Sequence, residues 1–585
     1  MHSRAIAVAI VIAAGGLTSA AAAAAAGPPI MPLADVQPGM RCTVASVIQG
    51  TAVTTFDARI DDILRARDPR GSRILVTVSG PAIDGTGIGP GFSGSPITCP
   101  GADGVGRIVG AISEGIGEYG GRRGLATPIE AILGEPADPP ATARVATALL
   151  RRARPLAEPL TIGGLAPALA RVFTAAAKRA HRTLVAAPAT ALAAQAPLAD
   201  PLVPGSAMAA STVTGDISSG AIGTVAYVDG DRVWAFGHEL DGAGRRSLTL
   251  SSAYVFTVVA NPVASGETDT YKLAAPLTDL GTLVQDGADG VVGRTGVLPR
   301  RFPLRIVSFD LDRSRRAELD AQVADERPVG SPAGGSGLGM VLAGAVAQAA
   351  YTTLHGLPAQ MSARLCLRVA VRGRTAPLGF CNTYVGVGGG PDAFAEGPVV
   401  DDAGRAARLL DTYDAGPLDI IGLTAALRLT RTLRLGTLVR AQAAALVRRG
   451  TTVPVLLTLR RTGGGRFTRT AQVRVPATMP AGRRDLLLTG TAPDGPGQGS
   501  GDVSLSDLFG SGDAPPAPTT LRGLASALAA LHRDDGLGAR FVHVGAKAPS
   551  QLPGGAEGYA QRRRVVFRSD ELRIAGRVRV HLRVR

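Results

Sequence analysis

Aromatic residues and lysine are scarce in this chain of 585 residues. Aromatics make up 4% of the sequence and include one tryptophan, so its cores must be built from alanine, valine, leucine and isoleucine. Lysine occurs only at Lys178, Lys272 and Lys547, although the formal net charge is +15. The positive charge therefore comes from arginines dispersed among alanine, glycine and proline. This dispersion predicts no specific nucleic-acid partner and permits only unspecific association with an anionic cell envelope.

Cysteine is also sparse, with four residues and neither a Cys-x-x-Cys pair nor a Cys/His cluster. That pattern argues against a structural zinc site, and we predict no metal and no cofactor. Four cysteines allow two disulfides with three connectivities. Cys366 and Cys381 lie on two alternating segments that a short turn separates, so we expect a cross-hairpin bridge there. Cys42 is then left to pair with Cys99.

A secretory signal peptide is predicted over residues 1–26. His2 and Arg4 precede an apolar stretch, and small residues then lead to Gly27. An uncleaved N-terminal anchor is the alternative. A second apolar stretch, residues 338–354, is shorter than a membrane span, and its Gly, Gln and Thr content predicts a buried helix. We therefore expect a secreted or envelope-associated protein with no transmembrane span after signal removal.

The pattern of apolar residues predicts a mainly β protein with some helices. Hydrophobic residues make up 45% of the chain, which excludes wholesale disorder, and the length allows several domains. Short alternating segments predict strands near residues 41–47, 53–60, 72–79, 95–98 and 107–113, followed by a helix at 129–133. Four units are predicted: a β-rich unit at 27–135, a helical, Ala/Pro-rich connector at 136–204, a second β-rich unit at 205–399, and a β-sandwich-like unit at 400–585. Within the connector, helices are predicted at 141–154 and 166–184. The last unit is predicted to end in one strand over 572–584.

Chemistry is predicted at Ser93, within the sequence Gly-Phe-Ser-Gly-Ser-Pro-Ile at residues 91–97. Glycines two residues before and one residue after Ser93 allow a sharp backbone turn that a side chain would block. Such a turn can expose a hydroxyl and direct the N–H groups of Gly91 and Ser93 inward, as an oxyanion hole requires. The alternative is an ordinary Gly/Ser turn between two strands.

The sequence around Ser93 resembles the stage IV sporulation protein B family of serine peptidases, which are chymotrypsin-like. The likeness extends through a strand, a glycine turn and the segment Ala-Thr-Pro-Ile-Glu at 126–130, and an independent block runs from Gly215 to the segment Ala-Phe-Gly-His at 235–238. The resemblance covers roughly residues 30–300. It implies a chymotrypsin-like double β-barrel, with His238 as general base to the nucleophile Ser93. Trp234 and Phe236, two residues apart before His238, are expected to share one face in the core.

Two features depart from the family pattern. The orienting aspartate is expected at the end of a strand where this chain has Ser79, so Asp84 is the assigned acid, with Asp216, Glu239 and Asp241 as alternatives. The serine and histidine blocks also stand in swapped order. Two barrels can still form one site between them, because a triad is defined by geometry rather than chain order. Two functions follow: an exported serine endopeptidase acting on cell-envelope or extracellular protein, or a catalytically inactive, peptidase-like scaffold that binds a partner in the envelope.

Overall fold

The structure is a computed structural model. It describes residues 27–67, 69–116, 121–138, 160–188, 201–260, 270–326, 338–413, 415–416, 418–490, 518–531, 536–543, 564–569 and 571–585. The signal peptide predicted at 1–26 and the helix predicted at 141–154 lie outside the described residues. Within the described residues, no helix is both long and apolar enough to cross a membrane.

Six strands close the first barrel, in the order β1-β2-β3-β6-β5-β4. Alternation drives its formation: in β2, buried Phe56, Ala58 and Ile60 are separated by exposed residues. The strands predicted from the sequence are present, and the predicted helix at 129–133 forms α1. The elements are β1 Arg41–Val47, β2 Val53–Leu64, β3 Arg73–Ser79, β4 Pro96–Pro100, β5 Gly106–Ile116, β6 Arg123–Pro128 and α1 Ile129–Leu133.

A second ring of six strands follows, and it has the same topology. Its pairings run β9-β12-β13-β14-β11-β10, and β10 pairs again with β9 to close the ring. Counted from its own first strand, the order is 1-2-3-6-5-4, as in the first barrel. The strands are β9 Ala207–Gly215, β10 Ser218–Asp229, β11 Arg232–Ala235, β12 Gly244–Val259, β13 Tyr271–Gly287 and β14 Gly290–Thr295.

The sheet of the second barrel continues beyond the ring on two sides. β7 and β8 extend it from β10, while β16, β15, β19, β17 and β18 extend it from β9. Helices pack on this extension, and the buried helix predicted at 338–354 lies in their centre. The elements are β7 Leu160–Gly163, α2 Pro167–Arg179, β8 Leu184–Ala186, β15 Arg301–Asp310, β16 Arg315–Ala324, α3 Leu338–Leu354, β17 Ser362–Val371, β18 Leu378–Val385, α4 Pro391–Ala395, α5 Pro398–Asp411 and β19 Ile420–Thr430.

Two smaller sheets, of four and five strands, form a C-terminal sandwich around a shared apolar core. The first has the order β23-β22-β20-β27 and the second β21-β28-β24-β25-β26. The elements are β20 Leu435–Gln442, β21 Leu446–Val447, β22 Thr452–Arg461, β23 Arg466–Arg474, β24 Gly482–Gly490, α6 Leu521–Ala530, β25 Gly536–His543, β26 Arg564–Arg568, β27 Arg573–Ala575 and β28 Arg577–Val584. The fold is therefore mainly β, with a double barrel followed by a sandwich, as predicted.

Both predicted disulfides are present. Cys42 on β1 bonds Cys99 on β4 within the first barrel, and Cys366 bonds Cys381 across the β17–β18 hairpin. The division of the chain into domains at the residue ranges given above stays a prediction. The sheet of the second barrel includes β19 and so extends past residue 400, the predicted start of the last unit.

Three local predictions were wrong in whole or in part. The helix predicted at 166–184 is present as α2 but ends at Arg179, and the chain then forms β8. The strand predicted over 572–584 divides at Gly576, whose φ of +91° breaks the alternation. Trp234 and Phe236 do not share a face: Trp234 packs between the barrels, while Phe236 packs inside the second barrel because its φ of +68° turns the chain.

Candidate functional site

The loop that carries Ser93 connects the third and fourth strands of the first barrel. Gly91 and Gly94 adopt φ values of +91° and +89°, which favour glycine. The N–H of Gly94 donates to the carbonyl of Ile112 at 2.7 Å, and the N–H of Ser95 donates to the Phe92 carbonyl at 2.9 Å. These two N–H groups, of Gly94 and Ser95, differ from the two predicted as oxyanion donors, which belong to Gly91 and Ser93. Ser93 itself is fully buried.

The loop that carries His238 connects the third and fourth strands of the second barrel. Phe236 and Gly237 take successive left-handed conformations, with φ of +68° and +71°, so the chain reverses sharply just before the imidazole. His238 is 3% exposed. Because the two barrels share one topology, Ser93 and His238 occupy corresponding loops of the two rings.

These two corresponding loops meet between the barrels. The carbonyl oxygen of Ile112, which accepts from Gly94, also lies 3.3 Å from the position that a Cβ would take on Gly237. Two hydrogen bonds to residues of these loops also cross between the barrels. The N–H of Thr224 on β10 donates to the Ser93 carbonyl at 2.8 Å, and the Thr127 hydroxyl on β6 donates to the Gly237 carbonyl at 2.6 Å.

Close packing makes Gly94 a requirement of this contact. A Cβ on Gly94 would overlap the carbonyl oxygen of Thr224 and lie 2.5 Å from the backbone nitrogen of Phe236. Both atoms belong to backbone of the second barrel, so neither can swing aside as a flexible side chain would. The glycine after Ser93 therefore permits the serine loop to dock against the histidine loop.

The imidazole of His238 is oriented by a backbone carbonyl. Its Nδ1 lies 2.6 Å from the carbonyl oxygen of Glu239. A carbonyl oxygen only accepts, so Nδ1 carries the proton, and in the neutral ring Nε2 holds the lone pair. This is the tautomer that a general base to a serine requires. In a Ser-His-Asp triad the corresponding acceptor is a carboxylate.

The acids considered from the sequence lie in different surroundings. Asp84 is about half exposed, and its carboxylate pairs with Arg122 at 3.1 Å. Its assignment as the orienting acid stays a prediction. Asp216 lies in the β9–β10 turn, where its carboxylate accepts the N–H of Asp320 at 2.8 Å. Glu239 contributes its carbonyl rather than its carboxylate to the His238 ring. Asp241, three residues after His238, bonds to Arg246 at 2.6 Å.

A buried carboxylate that the sequence analysis missed anchors the histidine loop. Asp286 on β13 accepts the N–H groups of Leu240, Asp241 and Ala243 at 2.7, 3.0 and 3.2 Å. Burial, together with the hydrogen bond and charge of neighbouring Asp241, raises the pKa of Asp286 to about 7. Burial also disfavours ionisation of Asp241, but the bond with Asp286 and the charge of Arg246 bring its pKa below the usual value.

A buried lysine, which the sequence analysis did not single out as functional, braces the serine loop. The Lys272 ammonium, on β13 of the second barrel, donates to the hydroxyls of Ser46 at 2.8 Å and Thr224 at 3.0 Å. Its backbone N–H donates to the Pro90 carbonyl at 3.0 Å, and its side-chain carbons pack against Gly91. The sequence offered one indication that Lys272 is unusual: it is one of three lysines in an arginine-rich chain.

A buried ion-pair network crosses the barrel interface nearby. Arg73 on β3 donates from Nε to Glu114 at 2.9 Å, and its Nη1 lies 3.6 Å from Asp289 in the β13–β14 turn of the second barrel. All three side chains are at least nine-tenths buried. Only the contact of Arg73 with Asp289 crosses between the barrels, and it favours one docked arrangement because separation would remove Arg73 from the buried Asp289 carboxylate.

No grouping of three or more potential metal-ligating side chains occurs in the part of the chain that the structure describes. Comparison with known proteins found no match of this chain to a family model, to a curated protein or to a solved structure. The arrangement places a serine and a histidine in contacting loops between two barrels, with Nδ1 of the histidine bonded to a backbone carbonyl.

Proposed function

We propose that the chain is an exported serine endopeptidase of the stage IV sporulation protein B type. The observation that carries the proposal is the meeting of the Ser93 and His238 loops at the Ile112 carbonyl, each loop at the corresponding position of its barrel. A serine hydroxyl is a weak nucleophile until a base removes its proton, and an interface that joins a serine loop to a histidine loop supplies both groups.

In the proposed reaction, His238 Nε2 takes the proton of the Ser93 hydroxyl as its oxygen attacks the peptide carbonyl. The N–H groups of Gly91 and Ser93 stabilise the oxyanion, and the imidazolium then protonates the leaving amine. The Glu239 carbonyl keeps the proton of the neutral ring on Nδ1 throughout. A carbonyl is neutral, and loss of the triad carboxylate can cost about four orders of magnitude in turnover. We therefore expect slow turnover.

The proposed substrate is a protein or peptide of the cell envelope or its surroundings. Two disulfides support an oxidising compartment, since such bonds persist outside the reducing cytosol. The predicted signal peptide gives the same location. The C-terminal sandwich is assigned a docking role in this proposal.

The second candidate is a catalytically inactive scaffold that uses the double barrel for binding. Complete burial of Ser93 favours this alternative, because a nucleophile must be reached by its substrate. The two candidates differ in whether the Ser93 hydroxyl is activated, and a covalent probe for activated serines separates them.

The test is intact-mass analysis of the mature protein after treatment with a fluorophosphonate and, because Ser93 is buried, with a small sulfonyl fluoride. We expect one adduct on the wild type, lost in Ser93→Ala and in His238→Ala. Ser113→Ala is the matched control, since Ser113 is equally buried in the same barrel and donates to the Leu125 carbonyl at 3.2 Å. Absence of any adduct on a folded wild type would reject the peptidase and favour the scaffold.

A further inference from the structure

One peptide group joins the buried carboxylate of Asp286 to the ring of His238. The carbonyl of the Glu239–Leu240 peptide accepts from His238 Nδ1 at 2.6 Å, and the N–H of the same peptide donates to Asp286 Oδ1 at 2.7 Å. Since a peptide group is planar and its N–H and C=O point in opposite directions, fixing one end fixes the other. The carboxylate therefore sets the direction of the carbonyl that orients the imidazole.

Asp286 holds more than this single peptide. Its second oxygen accepts the N–H groups of Asp241 at 3.0 Å and Ala243 at 3.2 Å, so three N–H groups of the loop that follows the histidine converge on one side chain. A carboxylate at the N–H end of a peptide also polarises it, which makes the carbonyl at the other end a stronger acceptor. The effect on the ring is both geometric and electrostatic.

The charged groups that face Asp286 come from three segments. Asp241 lies in the histidine loop, Arg246 Nη1 on β12 lies 3.4 Å from Asp286, and Glu326, which follows β16, pairs with Arg246 Nε at 2.8 Å. Arg246 thus lies among three carboxylates. Burial and the proximity of Asp241 hold a proton on Asp286 up to about neutral pH. The polarisation is therefore complete only where Asp286 is ionised.

We propose that Asp286 is the positioning residue for His238, and that it acts through the Glu239–Leu240 peptide in the place where a triad carboxylate would contact the ring directly. The catalytic consequence rests on the proposed peptidase function, whereas the effect on the protonation site of the ring does not. Asp286 lies on β13, 46 residues from Leu240 in the histidine loop, and none of the acids considered from the sequence makes this connection.

The experiment compares wild type, Asp286→Asn and Asp279→Asn at a pH above the Asp286 pKa of about 7, by 15N NMR of the histidine ring and by the rate of fluorophosphonate labelling. Asn is nearly isosteric with Asp and keeps an acceptor oxygen for Leu240, but it lacks the charge and the second acceptor oxygen that receives the N–H groups of Asp241 and Ala243. We expect the Nδ1–H form of His238 in the wild type, a shifted Nδ1 resonance in Asp286→Asn, and labelling slower by about 10- to 100-fold. Asp279→Asn, also on β13 but bonded to Ser251 and Thr214, should leave both readouts unchanged.

An unchanged Nδ1 resonance and labelling rate in folded Asp286→Asn would overturn the proposal. If that variant does not fold, the wild type still decides: its Nδ1 resonance must move with the ionisation of Asp286, followed by the carboxyl 13C signal, and a resonance independent of that step rejects the connection. If the wild type is not labelled at all, the peptidase fails, and the NMR readout alone decides the role of Asp286.

Discussion

Gly94 and Gly237 approach the same carbonyl oxygen, that of Ile112, from two different barrels. Gly94 donates its N–H to this oxygen at 2.7 Å, and the position of a Cβ on Gly237 lies 3.3 Å from it. Each glycine is the chain neighbour of a residue assigned to the chemistry, Ser93 or His238. The spacing between the Ser93 and His238 loops therefore depends on backbone contacts that a side chain at Gly94 would prevent and one at Gly237 would crowd.

We expect Gly94→Ala to abolish labelling of Ser93 and to destabilise the protein. The added methyl group would overlap the Thr224 carbonyl oxygen, and the φ of +89° disfavours alanine. Gly39→Ala is the matched control, because Gly39 has φ of +90° but nothing within 4 Å of a Cβ. The control should lose about 1–2 kcal/mol from backbone strain alone and should keep its labelling. Denaturant unfolding and intact mass measure both effects, and equal losses in the two variants would contradict the steric argument.

Lys272→Met should lower stability and slow the labelling of Ser93, because methionine retains much of the stem that packs on Gly91 but lacks the ammonium donor to the hydroxyls of Ser46 and Thr224. These two hydroxyls bond to Ser95 and to the Gly91 carbonyl, on either side of Ser93. Loss of a hydrogen bond from a charged donor costs about 1.5–3 kcal/mol. Lys178→Met on the exposed side of α2 is the control and should change neither quantity. Normal labelling in folded Lys272→Met would show that the lysine is not needed to hold the loop.

The raised pKa of Asp286 predicts a pH-dependent stability. With a pKa of about 7 in the folded protein and the ordinary 3.8 in the unfolded chain, Asp286 binds a proton on folding between these values. The stabilisation is complete below about pH 4 and is lost as the pH rises towards 7, with a slope of at most about 1.4 kcal/mol per pH unit. Asp241, whose pKa is lowered, acts only at more acidic pH.

Denaturant unfolding of the wild type and of Asp286→Asn from pH 4.5 to 8 isolates this contribution. The difference in the free energy of unfolding, wild type minus variant, should decrease as the pH rises and level off above about 7. A difference that increases with pH would mean that Asp286 is ionised in the folded state throughout this range.

Loss of the Cys42–Cys99 bridge should cost more stability than loss of the Cys366–Cys381 bridge. The bridges close loops with sequence separations of 57 and 15 residues, and loop-closure entropy then gives about 4 and about 3 kcal/mol. Paired Cys→Ala variants of each bridge, compared by denaturant unfolding, measure the difference. A larger loss from the hairpin bridge would indicate that strain or contacts outweigh chain entropy.

The first barrel was predictable because its strands alternate and its turns carry glycine. The segment around Phe56, Ala58 and Ile60 shows this period of two clearly, and the disulfide pairs followed from the spacing of the cysteines. Ser93 and His238 were both predicted as site residues from the sequence and stay predictions; the structure places their loops in contact through Gly94 and Gly237.

What the sequence did not reveal depends on register and on rare backbone conformations. Lys272 and Ser46 are 226 residues apart, and no local pattern indicates that the two barrels bring them together. Phe236 was predicted to share a face with Trp234 because residues two apart on a strand point the same way. The positive φ of Phe236 interrupts this alternation, so the two side chains pack in different places. The acid was sought in direct contact with the histidine, whereas the described structure joins Asp286 to it through a peptide group.

Neither barrel contains the whole of the proposed site, since one contributes the serine loop and the other the histidine loop. The contacts that join the loops, such as those of Thr224 with Ser93 and of Thr127 with Gly237, run between the barrels rather than along the chain. Covalent continuity is thus not what holds the site together. We therefore expect two fragments of the chain, divided in the connector, to re-form the proposed site when the barrels associate. A permuted chain with the barrels in reversed order should form it too, and labelling of Ser93 would report the association in both cases.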